Sequence, residues 1–181
     1  GRINMGRLPA PREALEILHK VGCTPPVIDH CKAVSQLAVM FAKRARAKGI
    51  NIDIDLVRIG GLLHDIGRSK TNSVDHGFIG GVIASSLGLP ESVRRIIERH
   101  VGSGIPSDEA VKLGLPQQDF VPETLEEKIV SYADKLIEGK HRKSFDAILD
   151  RFAKELGPTH PAIARLRKLH AELARIIEEP L

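Results

Sequence analysis

Apolar residues recur at spacings of three and four along most of the chain. Nowhere do they alternate with period two for long enough to make a strand. Residues 11–21 open with a first-turn proline and stop at Gly22. A second helix, 26–48, carries Val27, Cys31, Val34, Leu37, Ala38, Phe41 and Ala45 on one face and ends at Gly49. The segment 56–66 is apolar almost all round, broken only by Arg58 and the His64-Asp65 pair, which predicts a central, buried helix. Gly60 and Gly61 inside it each cost about 1 kcal/mol of helix propensity, a loss that close helix contact offsets. Ser73 or Asp75 caps a helix over 75–87, Pro90 starts another that reaches His100, and Ser107 caps a short one to Leu113. After a loop at 116–122, Thr124 and Glu127 have capping-box spacing for a helix over 124–137. Two amphipathic helices, 143–156 and 161–178, follow, divided by Gly157-Pro158. Phe145, Ile148, Leu149 and Phe152 in the first, and Leu166, Leu169, Leu173 and Ile176 in the second, mark both as packing elements outside the chemistry. The pattern predicts one all-α domain over 5–181, with no repeat or linker.

Composition narrows the class. At 181 residues, 42% hydrophobic and 28% charged, the chain is neither disordered nor fibrous. No apolar run approaches the ~20 residues of a membrane-spanning helix, and the start lacks an apolar signal core. Residues 1–4, ahead of an internal Met5, read as a cloning remnant and carry no fold expectation. Cys23 and Cys31 are too few for a disulfide framework, so a reducing cytoplasm is the expected location. The net charge of +4 suits an anionic small molecule or RNA without being a polybasic footprint. With no Trp and one Tyr, a stacking platform for single strands is not expected.

A His-Asp dipeptide means little alone: this composition yields about 0.4 of them by chance. The positions of the other polar residues change that. His30 extends the stripe of Val34, Leu37 and Phe41, so it points inward; Asp134 lies between Val130 and Ile137 on an inward face. Burying any one of these groups alone is expensive, and a carboxylate among imidazoles is stabilised most simply by a shared cation. Taken singly, His30 reads as a core histidine; its company makes it a candidate ligand. An Asp134–Lys135 pair is not expected, because adjacent helix residues point apart. His19, His141, His160 and His170 read as surface residues, and Cys31 as packed.

The order His30 … His64-Asp65 … Asp134 resembles the HD superfamily of metal-dependent phosphohydrolases, over roughly residues 25–140. The resemblance implies an all-α helical bundle with a metal at its centre, held by those four residues. His76, in Asp75-His76-Gly-Phe-Ile-Gly-Gly, and His100, in Glu98-Arg-His100-Val-Gly, resemble the extra histidines of two-metal branches. Ser103-Gly-Ile, Leu113-Gly-Leu-Pro, Glu126-Glu-Lys-Ile-Val and Ala133-Asp-Lys-Leu are similar to a small, largely uncharacterised archaeal HD family. The implied cofactor is one or two divalent ions (Mn, Fe, Co, Ni or Mg, with Zn allowed). The implied reaction is attack of metal-activated water on a phosphoester, in a nucleotide or similar small phosphorylated metabolite. Asp65 is the natural bridge between two ions. Arg68, Lys70 and Lys135 are either substrate-facing cations or solvated ones. Two other readings remain: a di-iron oxygenase on the same ligands, and a nucleotide- or RNA-binding module with a structural metal.

Overall fold

The computed structural model describes residues 6–177. The expectations for residues 1–5, and for the final helix reaching 178, lie outside the described residues. The chain folds as helices α1 (Pro11–Val21), α2 (Pro25–Ala47), α3 (Ile54–Leu63), α4 (His76–Ser86), α5 (Glu91–Glu98), α6 (Ser107–Lys112), α7 (Leu125–Lys135), α8 (Phe145–Leu156) and α9 (Pro161–Ile177). Gly22, at φ +96°, takes the left-handed conformation that stops α1. Side chains of Asp53, Thr124 and Ser144 accept from the backbone N–H groups of Leu56, Glu127 and Ala147, starting α3, α7 and α8.

Four local expectations are corrected. α3 stops at Leu63, so His64 sits in the cap, and a single 3₁₀ turn (Ile66–Ser69) follows Asp65. Only half of the capping box at Thr124 forms. Glu127 instead accepts from the backbone N–H of Glu123 and from Arg99, 3.0 and 2.7 Å away. Ser107 caps no helix; its own N–H donates to Asp119, and α6 starts behind Pro106. α7 ends at Lys135, and the chain then makes a small antiparallel hairpin, β1 (Ile137–Glu138) with β2 (His141–Arg142), turned at Gly139 with φ +60°.

One apolar cluster joins α2, α7, α8 and α9 through Phe41, Val130, Ile148, Leu166 and Leu173. A second joins α1, α3, α5 and the 3₁₀ turn through Leu18, Leu63, Ile97 and Ile66. The glycine pair does what its cost implied. A Cβ on Gly60 would lie 2.5 Å from Ile96 Cδ1, and one on Gly61 2.8 Å from Ser35 Cα, so α3 approaches both α5 and α2 closely.

Gly67 is the tightest of these positions. A Cβ there would overlap the carbonyl oxygen of His76 and lie 2.8 Å from Gly80 N, both backbone atoms that cannot swing away. Gly67 thus lets the turn after Asp65 pack against the start of α4. Gly67→Ala is expected to destabilise the protein by about 2 kcal/mol or more, as overpacking of a rigid contact does. A denaturant midpoint unchanged from the parent protein would contradict this.

Candidate metal centre

Six side chains from five segments meet at one place: His30 of α2, His64 and Asp65 after α3, His76 opening α4, His100 after α5, and Asp134 near the end of α7. Each imidazole is oriented by a backbone carbonyl. Nδ1 of His30 donates to Gly139 O at 2.6 Å, and that of His64 to Gly61 O at 2.6 Å. Nδ1 of His76 donates to Ser73 O at 2.8 Å, and that of His100 to Ile97 O at 2.7 Å. A carbonyl only accepts, so these contacts assign the proton to Nδ1 in all four rings. In the neutral ring, Nε2 is then left as a bare lone pair.

Those lone pairs converge on two carboxylates. Asp134 Oδ1 lies 2.9 Å from His30 Nε2 and 3.2 Å from His64 Nε2. Asp65 Oδ1 lies 3.1 Å from His100 Nε2 and 3.3 Å from His76 Nε2. Asp65 Oδ2 faces the other pair, 3.6 Å from His30 and 3.8 Å from His64. His76 Nε2 and His100 Nε2 stand 3.1 Å apart, two acceptors facing one another. With neutral rings the cluster is an excess of lone pairs and negative charge with too few protons to satisfy it. That donor chemistry fits a divalent cation. Three groups have donor atoms all within 4.8 Å of one another: His30, His64 and Asp65; His64, His100 and Asp134; and Asp65, His76 and His100.

Burial sharpens the electrostatics. His64 is fully buried, His100 is 1% exposed and Asp65 4%. Burial opposes charge on His64, but Asp65 and Asp134 beside it outweigh that and hold its pKa well above the usual value. For His100 burial wins, helped by the neighbouring His64, and the ring falls to about 4. Burial would raise both carboxyl groups. His64, with His100 and His76 in contact with its Oδ1, pulls Asp65 well below the carboxylate range, and Lys135, His64 and His30 do the same for Asp134.

The cluster floors an open cavity of about 460 Å³. Arg68 lines it and donates from Nε to Asp65 Oδ2 at 3.1 Å. Lys70 is exposed and does not line the cavity, the position of a solvated cation. Lys135 is not a solvated cation. It is buried, and its ammonium donates to Asp134 Oδ2 at 2.7 Å, to His100 O at 2.6 Å and to Ser131 O at 3.4 Å. The adjacent-residue argument against an Asp134–Lys135 pair fails, because a long side chain can curl back to its neighbour.

The expectation that α8 stands outside the site is also corrected, since Arg151, Phe152 and Glu155 line the cavity with Glu138 of the hairpin. The i, i+4 spacing of Arg151 and Glu155 was visible, but nothing local placed that face over the histidines. His19 and His141 are exposed as expected. His160 is half-buried and accepts from Ala162 N at 3.0 Å. His170 is not a free surface residue: its Nδ1 meets Tyr132 OH at 2.6 Å, and its ring stacks on Phe145 at 3.8 Å. Cys31 is fully buried in the second apolar cluster. Burial, with Cys31 and Asp65 nearby, pushes the Cys23 thiol up to about 11. No helix among the described residues is long and apolar enough to cross a membrane.

The HD domain profile matches residues 27–139, the stretch that holds every one of these six side chains. The chain belongs to the HD domain family. An uncharacterised protein of the archaeon Methanocaldococcus jannaschii is 46% identical over 166 residues, covering 92% of this chain and 98% of that one. A protein of Thermoplasma volcanium named tRNA (cytidine(56)-2'-O)-methyltransferase is 40% identical over 174 residues. There the match spans 96% of this chain but only 49% of the longer protein. The HD domain of the Listeria monocytogenes phosphodiesterase PgpH, solved with cyclic-di-AMP, superposes with a TM-score of 0.55 at 19% identity, covering 93% of this chain and 99% of that one. That likeness establishes a shared fold. HD domains bind divalent metals, and the His/Asp cluster of this HD domain offers the donors for one.

Proposed function

We propose that this HD domain is a metal-dependent phosphohydrolase acting on a phosphoester of a nucleotide or related small phosphorylated metabolite. The observation that carries the reading is the convergence of four Nδ1-anchored histidines on two carboxylates at the floor of an open cavity. His30, His64 and Asp134 would hold one divalent ion, His76 and His100 a second, with Asp65 presenting one oxygen to each group. A bound ion supplies a Lewis acid and a water acidic enough to be hydroxide near neutral pH. Arg68 offsets negative charge gathering on the phosphoryl oxygens. Lys135, its donors spent inside the protein, is a positioning residue that fixes Asp134 Oδ2 and leaves Oδ1 toward the histidines. The methyltransferase name of the longer relatives describes proteins twice this span. A cluster of cation acceptors does not call for methyl transfer.

A screen of phosphoesters against Mn, Fe, Co, Ni and Mg tests the reading. Phosphate or nucleotide release that depends on the metal is the expected result. Oxygen consumption with an organic substrate, without phosphate release, would assign the cluster to oxygen chemistry instead. Ligand binding with no turnover under any metal, unchanged in His64→Ala, would reduce the domain to a binding module.

The His76→Ala, His100→Ala double variant addresses metal count. It removes both acceptors facing Asp65 Oδ1 and leaves His30, His64 and Asp134 in place. The metal content is expected to fall from two ions to one, with turnover lower by about two orders of magnitude or more. One retained metal with undiminished turnover would establish a single-metal mechanism.

A further inference from the structure

The cavity wall contributed by α8 holds an arginine whose better hydrogen-bonding edge is unused. Arg151 lines the cavity together with His76 and His100. Its Nη1 is bound by Glu138 of the hairpin, and its guanidinium lies 5.8 Å from the centre of the Phe152 ring. Its Nε is shut off from solvent and has no hydrogen-bond partner among the described residues. Glu155 Oε1 stands 3.8 Å from that Nε, too far for a hydrogen bond, and the Glu155 side chain is 63% exposed. Nη2 makes no hydrogen bond to any described residue either. The Nε–Nη2 edge carries two parallel N–H groups, which match two oxygens of one phosphate once the side chains around Nε shift to uncover it.

We propose that Arg151 anchors a second phosphate group of the substrate while the reacting phosphoester lies at the His/Asp cluster. Glu155, an exposed carboxylate resting loosely against the same edge, stands in for that phosphate and swings away when it binds. The inference rests on the phosphohydrolase reading and narrows it: the substrate class becomes nucleotides with two phosphorus centres, in preference to monophosphates. Glu138 keeps Nη1 occupied, so the arginine meets the phosphate with its side-on edge and not its tip. A cavity of about 460 Å³ falls within the range that encloses ligands of nucleotide size.

Equilibrium binding to the metal-stripped protein tests the anchor without any need for turnover. The probes are adenosine 3',5'-bisphosphate and 5'-AMP, with the 5'-phosphorylated dinucleotide pApA to separate a second phosphate on one nucleoside from one carried by a diester. The bisphosphate, pApA or both should bind more tightly than AMP. Arg151→Met should weaken the favoured ligand about tenfold more than it weakens AMP, and Glu155→Gln should tighten it. In turnover with the metal restored, the same selectivity should reappear in KM. Equal affinity for AMP and both larger probes, or equal weakening of all ligands in Arg151→Met, overturns the anchor. Absence of phosphoester hydrolysis with every metal would overturn the hydrolase reading alone, because the binding comparison still decides the role of Arg151.

Discussion

Asp65→Asn should abolish metal-dependent turnover while leaving a folded protein. The substitution keeps the shape of a side chain that is 4% exposed, so packing is preserved. It removes the charge shared between the His30–His64 pair at Oδ2 and the His76–His100 pair at Oδ1. The new amide N–H groups can donate to imidazole lone pairs that now face only acceptors. The metal-free variant is therefore expected to stay folded, but less stable than the parent because His64 and Arg68 lose the charge that faces them. In the proposed centre both ion positions lose their common ligand together, so turnover should fall on the order of 10³-fold or more. Metal content measured after dialysis should fall with it, and circular dichroism should report an unchanged helical fold. Turnover retained within a few-fold of the parent would remove Asp65 from the reaction.

The helical order was legible because an amphipathic helix declares itself over many residues. The stripe of α2 and the apolar 56–66 segment each carried several consistent positions. The hairpin was not legible, because two-residue strands are too short to show alternation, and β1 and β2 are set by pairing across Gly139. Its consequence for the site is large: the Gly139 carbonyl orients His30, and Glu138 holds Arg151. The inward placement of His30 and Asp134 followed from helical spacing within single elements. The place of α8 over the cavity did not, since it depends on how α8, through Ile148, and α9 pack on Phe41 and Val130 across the first apolar cluster. His170 shows the same limit. The sequence reads it as a surface residue, and only the fold brings Tyr132 and Phe145 to it. Adjacent Asp134 and Lys135 fail differently: helix geometry separates their Cβ atoms, and side-chain length closes the gap.

Asp134→Ala is expected to affect stability and metal together, in a direction set by what surrounds the carboxylate. Asp134 Oδ1 meets His30 and His64, and Oδ2 meets the buried ammonium of Lys135. Truncation leaves that ammonium inside the protein with carbonyls alone and strips His64 of one of the two charges that favour its protonated form. Breaking a buried, hydrogen-bonded charge pair from one side costs about 3–5 kcal/mol, because the partner left behind is uncompensated. The metal-free variant should therefore melt well below the parent. A second loss adds to it in the presence of metal. An ion that binds only the folded state contributes about 2.7 kcal/mol when free metal stands at a hundred times Kd, and a variant without the ligand forfeits that increment. Thermal unfolding with chelator and with graded Mn separates the two contributions. The parent midpoint should climb with metal, while the variant starts lower and stays flat. A variant whose midpoint starts low but climbs in parallel with the parent would leave Asp134 a partner of Lys135 and take it out of the metal centre.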